Sequence, residues 1–281
     1  MHVMRYCSAF TITLAACFAA QTMLLRASGG RTLKGESNFF SSLARLQTGI
    51  APLPRIMLLG SSMTGRLPDR AAGWEGVANL GCDAGSAVTA LRAIAKGQFP
   101  VPEAVVVEAN TLVMGIRAKP GEIDQAIESA WFWAGVHVPQ VGATARPAAI
   151  AYSAALVSRT GTFEKKTPAV SGTVERPIPW QRQEILPPDE EQVTTELIDL
   201  LLQVRKRGAR IMLVELPCRQ SNKTEWIPIV RQVSHRAECP LVDLADFLPA
   251  ERLGFTDAVH LDATSAVLCL ESLLQLYALL Q

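Results

Sequence analysis

Arg55-Ile56-Met57-Leu58-Leu59-Gly60-Ser61-Ser62-Met63-Thr64 is the stretch that decides how the chain is read. Its apolar run does not alternate, is only a few residues long, and stops at a glycine followed by small hydroxyl residues. A strand that is apolar on both sides is buried on both faces, as happens in parallel sheets covered by helices.

The same pattern recurs outward from it. Val77–Leu80, Ala104–Val107, Ile211–Leu216 and Leu241–Leu244 are further short, largely apolar stretches that read as strands. Between them lie stretches with helical spacing: Ala87–Lys96, Glu190–Gly208, Trp226–Ala237 and the closing Ala263–Leu280. The second of these ends in Arg205-Lys206-Arg207 before Gly208, cations over the carbonyl end of a helix and then a stop. Strands alternating with helices predict an α/β fold, a flavodoxin-like doubly wound parallel sheet of five strands with helices on both faces. Residues 55–281 are assigned to this domain, and 26–54 to a connector in which Phe39–Leu46 forms a short amphipathic helix against the domain. An insertion at 111–189 separates the third and fourth strands. It has helical parts (Ile123–Ala134, Ala148–Val157) and a Thr-, Gly- and Pro-rich loop from Thr160 to Pro188, a length that reads as a lid or substrate-binding loop.

The first 25 residues differ from the rest. Tyr6–Leu25 carries no charge, and twenty helical residues at ~1.5 Å each cross a ~30 Å hydrocarbon layer. Three readings fit: an uncleaved signal anchor, a removed signal peptide cut near Ala16–Ala20, or a lipid-attachment box at Leu14-Ala15-Ala16-Cys17. The apolar run continuing through Phe18–Leu25 favours the anchor. A buried core helix fits poorly, because the segment is apolar all round. Each of the three readings exports the remaining chain.

Composition narrows the partners. With 27 basic and 26 acidic residues the net charge is +1, and no Lys/Arg-rich run offers an electrostatic footprint for nucleic acid. No cysteine or histidine spacing matches a zinc site. Cys218 and Cys239 either form a disulfide or remain free thiols.

Four polar clusters fall where strands end or the last helix begins: Gly60–Thr64, Asn79–Ser86, Glu108–Asn110 and Thr256–Asp262. In doubly wound sheets the carboxyl ends of the strands open on one crevice, so the clusters are expected to converge. Acyl transfer at serine needs a hydroxyl, a base, a group orienting the base, and donors for the oxyanion. Of the four histidines only His260 lies in a loop at that edge; His2 is in the leader, His137 in the insertion and His235 in a helix. Ser62 is the candidate nucleophile, His260 the base and Asp257 its orienter. Backbone amides of Ser62 and Gly85 with the side chain of Asn110 are the candidate oxyanion donors.

These residues resemble the SGNH (GDSL-like) hydrolases. That family has a serine after the first strand, a glycine after the second, an asparagine after the third and a late Asp-x-x-His. Ser62, Asn110 and Asp257-Ala258-Val259-His260 match in order from Ile56 to Leu270. Ser61 stands in place of the usual aspartate and Glu108 in place of a glycine. Ala84 aligns with the oxyanion glycine, with Gly85 one later. The departures resemble the membrane-anchored branch near polysaccharide O-acetylation proteins. The resemblance implies a serine esterase for acyl, chiefly acetyl, esters of small molecules or an envelope polysaccharide, with no metal or cofactor. Two alternatives stay open. The same triad transfers the acyl group to a polysaccharide, with a membrane acyltransferase as partner, or the chain is a non-catalytic membrane-tethered binding module.

Plainer roles stand beside these. Ser61 and Ser62 also suit a helix cap, Asn79 suits turn bonding, and Asp262 suits the cap of the last helix. Asp257 with His260 also reads as a loop hydrogen-bond pair. Trp131-Phe132-Trp133 reads as core.

Overall fold

The computed structural model describes residues 2–27, 37–151, 190–219, 226–248 and 250–279. Five strands, β1 (Ile56–Leu59), β2 (Val77–Asn79), β3 (Ala104–Glu108), β4 (Arg210–Glu215) and β5 (Leu241–Asp243), form one parallel sheet in the order β2-β1-β3-β4-β5. This is the flavodoxin-like order expected from the alternation. Ile56 pairs with Val77 on one side and Ala104 on the other; Ala104 pairs with Arg210, and Leu213 with Leu241. The chain reverses its direction of travel across the sheet at β1, so the crevice between the ends of β1 and β3 is the switch point.

Period-two alternation divides each strand between two cores. Met57, Leu59, Val105, Val107, Ile211 and Leu213 face one side. There α2 (Asn38–Gly49), α3 (Ala87–Ala95), α7 (Glu190–Lys206) and α8 (Ile227–Arg236) cover them with Leu46, Leu91, Leu201 and Val230. Ile56, Leu58, Val106, Met212 and Val214 face the other side, under α9 (Ala263–Leu279) with Leu270, Leu273 and Tyr277.

The domain does not begin at Arg55. Eight of the twelve residues of α2 are buried, so this helix is a core layer. The early part of the insertion is also core. It consists of α4 (Leu112–Arg117), α5 (Glu122–Ile127) and α6 (Ala130–His137), followed by short 3-10 turns at Pro139–Val141 and Ala143–Ala145. The single helix expected over Ile123–Ala134 is broken because the Ser129 hydroxyl accepts the Phe132 amide at 3.1 Å and starts a new one. Buried Gln47 of α2 binds the insertion down. Its Nε2 donates to Phe132 O at 2.9 Å and its Oε1 accepts the Ala143 amide at 2.7 Å. A lid does not describe residues 111–151. The Thr160–Pro188 loop lies outside the described residues, as does most of Ala148–Val157.

Of the three aromatic neighbours, Phe132 is fully buried against Phe99, Trp133 is part-buried against the same core, and Trp131 points outward. Cys218 and Cys239 are free thiols packed against opposite faces of the sheet, which removes the disulfide alternative. The α1 helix (His2–Ala27) is long and apolar enough, over Val3–Met23, to be a membrane anchor or signal sequence.

Candidate active site

The turn after β1 is built around a buried carboxylate. Glu108, the last residue of β3, is 2% exposed. Its Oε2 accepts the amides of Ser61 (2.9 Å) and Thr64 (3.1 Å) and the Thr64 hydroxyl (2.6 Å). Its Oε1 accepts the hydroxyls of Ser61 (2.7 Å) and Thr111 (3.0 Å). Ser61 Oγ in turn accepts the Met63 amide at 3.1 Å, so Ser61 ties the turn to β3 and serves as its local cap. The close approach requires glycine at position 60, where a Cβ would lie 2.4 Å from Glu108 Oε2 and 2.0 Å from Thr64 Oγ1.

The loop after β2 is held by two polar anchors. Asn79 Nδ2 donates to Thr64 O (2.6 Å) and Leu67 O (2.7 Å), and its Oδ1 accepts the Gly81 amide (2.9 Å), the turn-bonding role expected of it. From α2, buried Arg45 donates through Nε to Gly81 O at 2.7 Å and pairs through Nη2 with Asp83 at 2.6 Å. Gly81 itself passes so close to the β1 turn that a Cβ there would sit 2.4 Å from Gly65 N. The loop then places Ala84 in the left-handed region, at φ 56°, where an L-residue is strained and glycine is favoured.

Near the other end of the chain, Phe255 and Leu261 pair across a small turn, and the Thr256 amide donates to His260 O at 2.8 Å. Asp257 folds back inside it. Its Oδ1 accepts the amides of Val259 (2.8 Å) and His260 (2.7 Å), leaving Oδ2 for the ring Nδ1 of His260 at 2.7 Å. The Arg219 amide, just beyond β4, donates to Ala258 O at 3.1 Å and fixes the turn to the strand-end edge. Asp262 accepts the Ser265 amide at 2.8 Å and caps α9.

Across 198 residues of sequence, His260 Nε2 lies 2.8 Å from Ser62 Oγ. A proton on Nδ1, held toward Asp257, leaves Nε2 to accept from the Ser62 hydroxyl. Burial pushes the Asp257 carboxyl up, but the His260 amide, the His260 ring and the Val259 amide outweigh burial and hold it below the ordinary aspartate value. An anion stabilised this way fixes both the tautomer and the orientation of the imidazole.

One oxyanion assignment, that of Gly85, needs revision. The Gly85 amide donates to Cys82 O at 2.9 Å and is committed to that turn. The preceding amide, that of Ala84, has no acceptor among the described residues, and neither has that of Ser62. Asn110 bridges to the residue just after β4: Nδ2 donates to Leu216 O (2.9 Å) and Oδ1 accepts the Leu216 amide (2.8 Å), leaving one Nδ2 hydrogen. Cys82 and Cys269 are pushed up to about 12 by burial and are poor nucleophiles. Among the described residues no cluster of His, Cys, Asp and Glu could hold a metal ion.

Arg45 is the site residue that sequence reasoning missed, together with the anchoring role of Glu108; Ala84 aligned with the oxyanion glycine but was set aside for Gly85. For Glu108 a signal existed, since a carboxylate ending an apolar strand must find buried donors.

Fold and site together define an α/β protein of the doubly wound parallel type, with a hydrogen-bonded serine–histidine–aspartate chain at the carboxyl edge of its sheet. Compared with family models, with curated proteins and with solved structures, the sequence matches none.

Proposed function

We propose that the chain is an SGNH-type serine esterase acting on acyl, chiefly acetyl, esters of an exported or envelope polysaccharide, held to the membrane by α1 with the domain outside. One observation carries the chemistry: Ser62 Oγ, His260 and Asp257 Oδ2 joined at 2.8 and 2.7 Å. Ser62 Oγ attacks the ester carbonyl while His260 Nε2 takes its proton. Amides of Ser62 and Ala84 with the remaining Asn110 hydrogen receive the oxyanion. His260 returns the proton to the departing sugar oxygen, leaving an acyl-serine and a free alcohol. Water then attacks the acyl group with His260 again as base, releasing the acid and restoring Ser62.

The reading is tested by fluorophosphonate labelling and turnover of an acetylated oligosaccharide. Labelling at Ser62 and loss of both signals in Ser62→Ala are expected. Full turnover in that variant would remove Ser62 as nucleophile. A membrane location is favoured by Gln21 of α1, whose Nε2 donates to Gln140 O at 2.8 Å and Ala145 O at 2.6 Å. A leader removed in maturation would leave those carbonyls without this donor.

A further inference from the structure

We propose that the outward face formed by Trp131, Val138 and Val141 rests on the surface of the bilayer that α1 crosses. This rests on the reading of α1 as a retained membrane anchor.

The three side chains are 37%, 39% and 45% exposed, a high fraction for apolar groups that lie close together. They form one surface element. Val138 follows α6 directly, the Pro139–Val141 turn comes next, and Trp131 Nε1 donates to Val141 O at 2.9 Å. From Ser129 to Ala145 there is no lysine, arginine, aspartate or glutamate. The stretch is buried at Phe132, Gly135 and 142–145. Its exposed residues, Trp131, Ala134, His137, Val138, Pro139 and Val141 among them, present a surface without those four residue types that is poorly matched to water. It is well matched to the membrane interface, where indoles sit with a polar edge satisfied and a flat apolar face buried.

The position of α1 selects the partner. Gln21 is the one strongly polar residue of Tyr6–Leu25 and lies toward its domain end, the depth at which a crossing helix leaves the hydrocarbon. Its amide grips the carbonyls of Gln140 and Ala145, within the same uncharged stretch. The tether therefore enters the bilayer beside the patch. Three part-exposed side chains fall well short of the surface that a stable protein dimer buries, which leaves lipid as the occupant.

The test uses the full chain in vesicles of phosphatidylethanolamine and phosphatidylglycerol carrying brominated acyl chains. One variant keeps Trp131 alone, with phenylalanine at Trp74, Trp133, Trp180 and Trp226; a companion keeps only Trp226. Trp131 emission is expected to shift blue and to be quenched about twofold or more, as befits an indole at headgroup depth, while Trp226 is unchanged. The single variant Trp131→Phe provides the same comparison without heavy substitution, and should remove most of the bromine-sensitive emission of the wild type. Vesicle-bound protein whose Trp131 is unquenched, or a wild type and Trp131→Phe quenched alike, overturns the proposal. Protein that fails to float with vesicles at all overturns the anchor reading along with it.

Discussion

A carboxylate taken out of water destabilises a fold unless its lone pairs are met, and Glu108 meets that demand with five donors from the β1 turn and the start of the β3–α4 junction. Neutralising it as Glu108→Gln replaces an acceptor edge with a donor that faces the Ser61 and Thr64 groups. Charged hydrogen bonds contribute about 1.5–3 kcal/mol each, and the group shares its partners, so a loss of about 3 kcal/mol is expected by urea unfolding. Fluorophosphonate labelling of Ser62 should slow in the same variant, because the turn that presents Ser62 is the one Glu108 holds. Unchanged stability would show that the turn holds its shape without the anion. Asp257 makes a separate prediction. Its folded carboxyl titrates below the ordinary aspartate value, so the pair with His260 stabilises the fold above that value and ceases to do so as pH falls through the folded one. Wild type should therefore lose stability faster than Asp257→Asn between about pH 5 and pH 3. Equal slopes in unfolding series across that range would contradict it.

Elements bring these residues together, and the elements differ in how plainly they can be read. The strands β1 to β4 were legible because burial on both faces writes a largely apolar run, and the half-buried edge strand β5 was legible from its place between two helical stretches. The late Asp-x-x-His turn was legible because no other histidine lies at a strand-end edge. The role of α2 was not, because Asn38–Gly49 mixes apolar residues with Ser41, Ser42, Arg45 and Gln47, every one of them buried. The Ser41 and Ser42 hydroxyls donate one turn back, to Ser37 O and Asn38 O, but Arg45 and Gln47 are tolerated inside through partners distant in sequence, here Gly81, Asp83, Phe132 and Ala143. Local pattern cannot supply those. Ala84 aligned with the oxyanion position, but a preference for glycine there led to Gly85, whose amide is spent on Cys82. Arg45→Ala tests the role of α2. Breaking a largely buried ion pair costs about 3 kcal/mol or more, which a shift in urea midpoint would record. If α2 positions the β2 loop, the variant should also slow acyl-serine formation; an unaltered rate would make Arg45 purely a stabiliser.

For the whole molecule the decisive relation is between a membrane-length helix and a site assembled entirely outside it. Every residue of the serine–histidine–aspartate chain and of its supporting bonds lies from Ser42 onward, while α1 meets the domain through Gln21 alongside Gln140 and Ala145. The two parts are therefore expected to separate by function: α1 sets location, and the sheet with its covering helices sets chemistry. Deleting residues 1–27 should release the chain from membranes in a flotation assay and leave turnover of a soluble acetyl ester intact. Turnover of a membrane-associated acylated polysaccharide should fall much further, because tethering raises the effective concentration of substrate held at the same surface. Equal loss on both substrates would mean that α1 supports the domain's packing through the 139–145 turns. Equal retention on both would mean that the substrate is met away from the membrane.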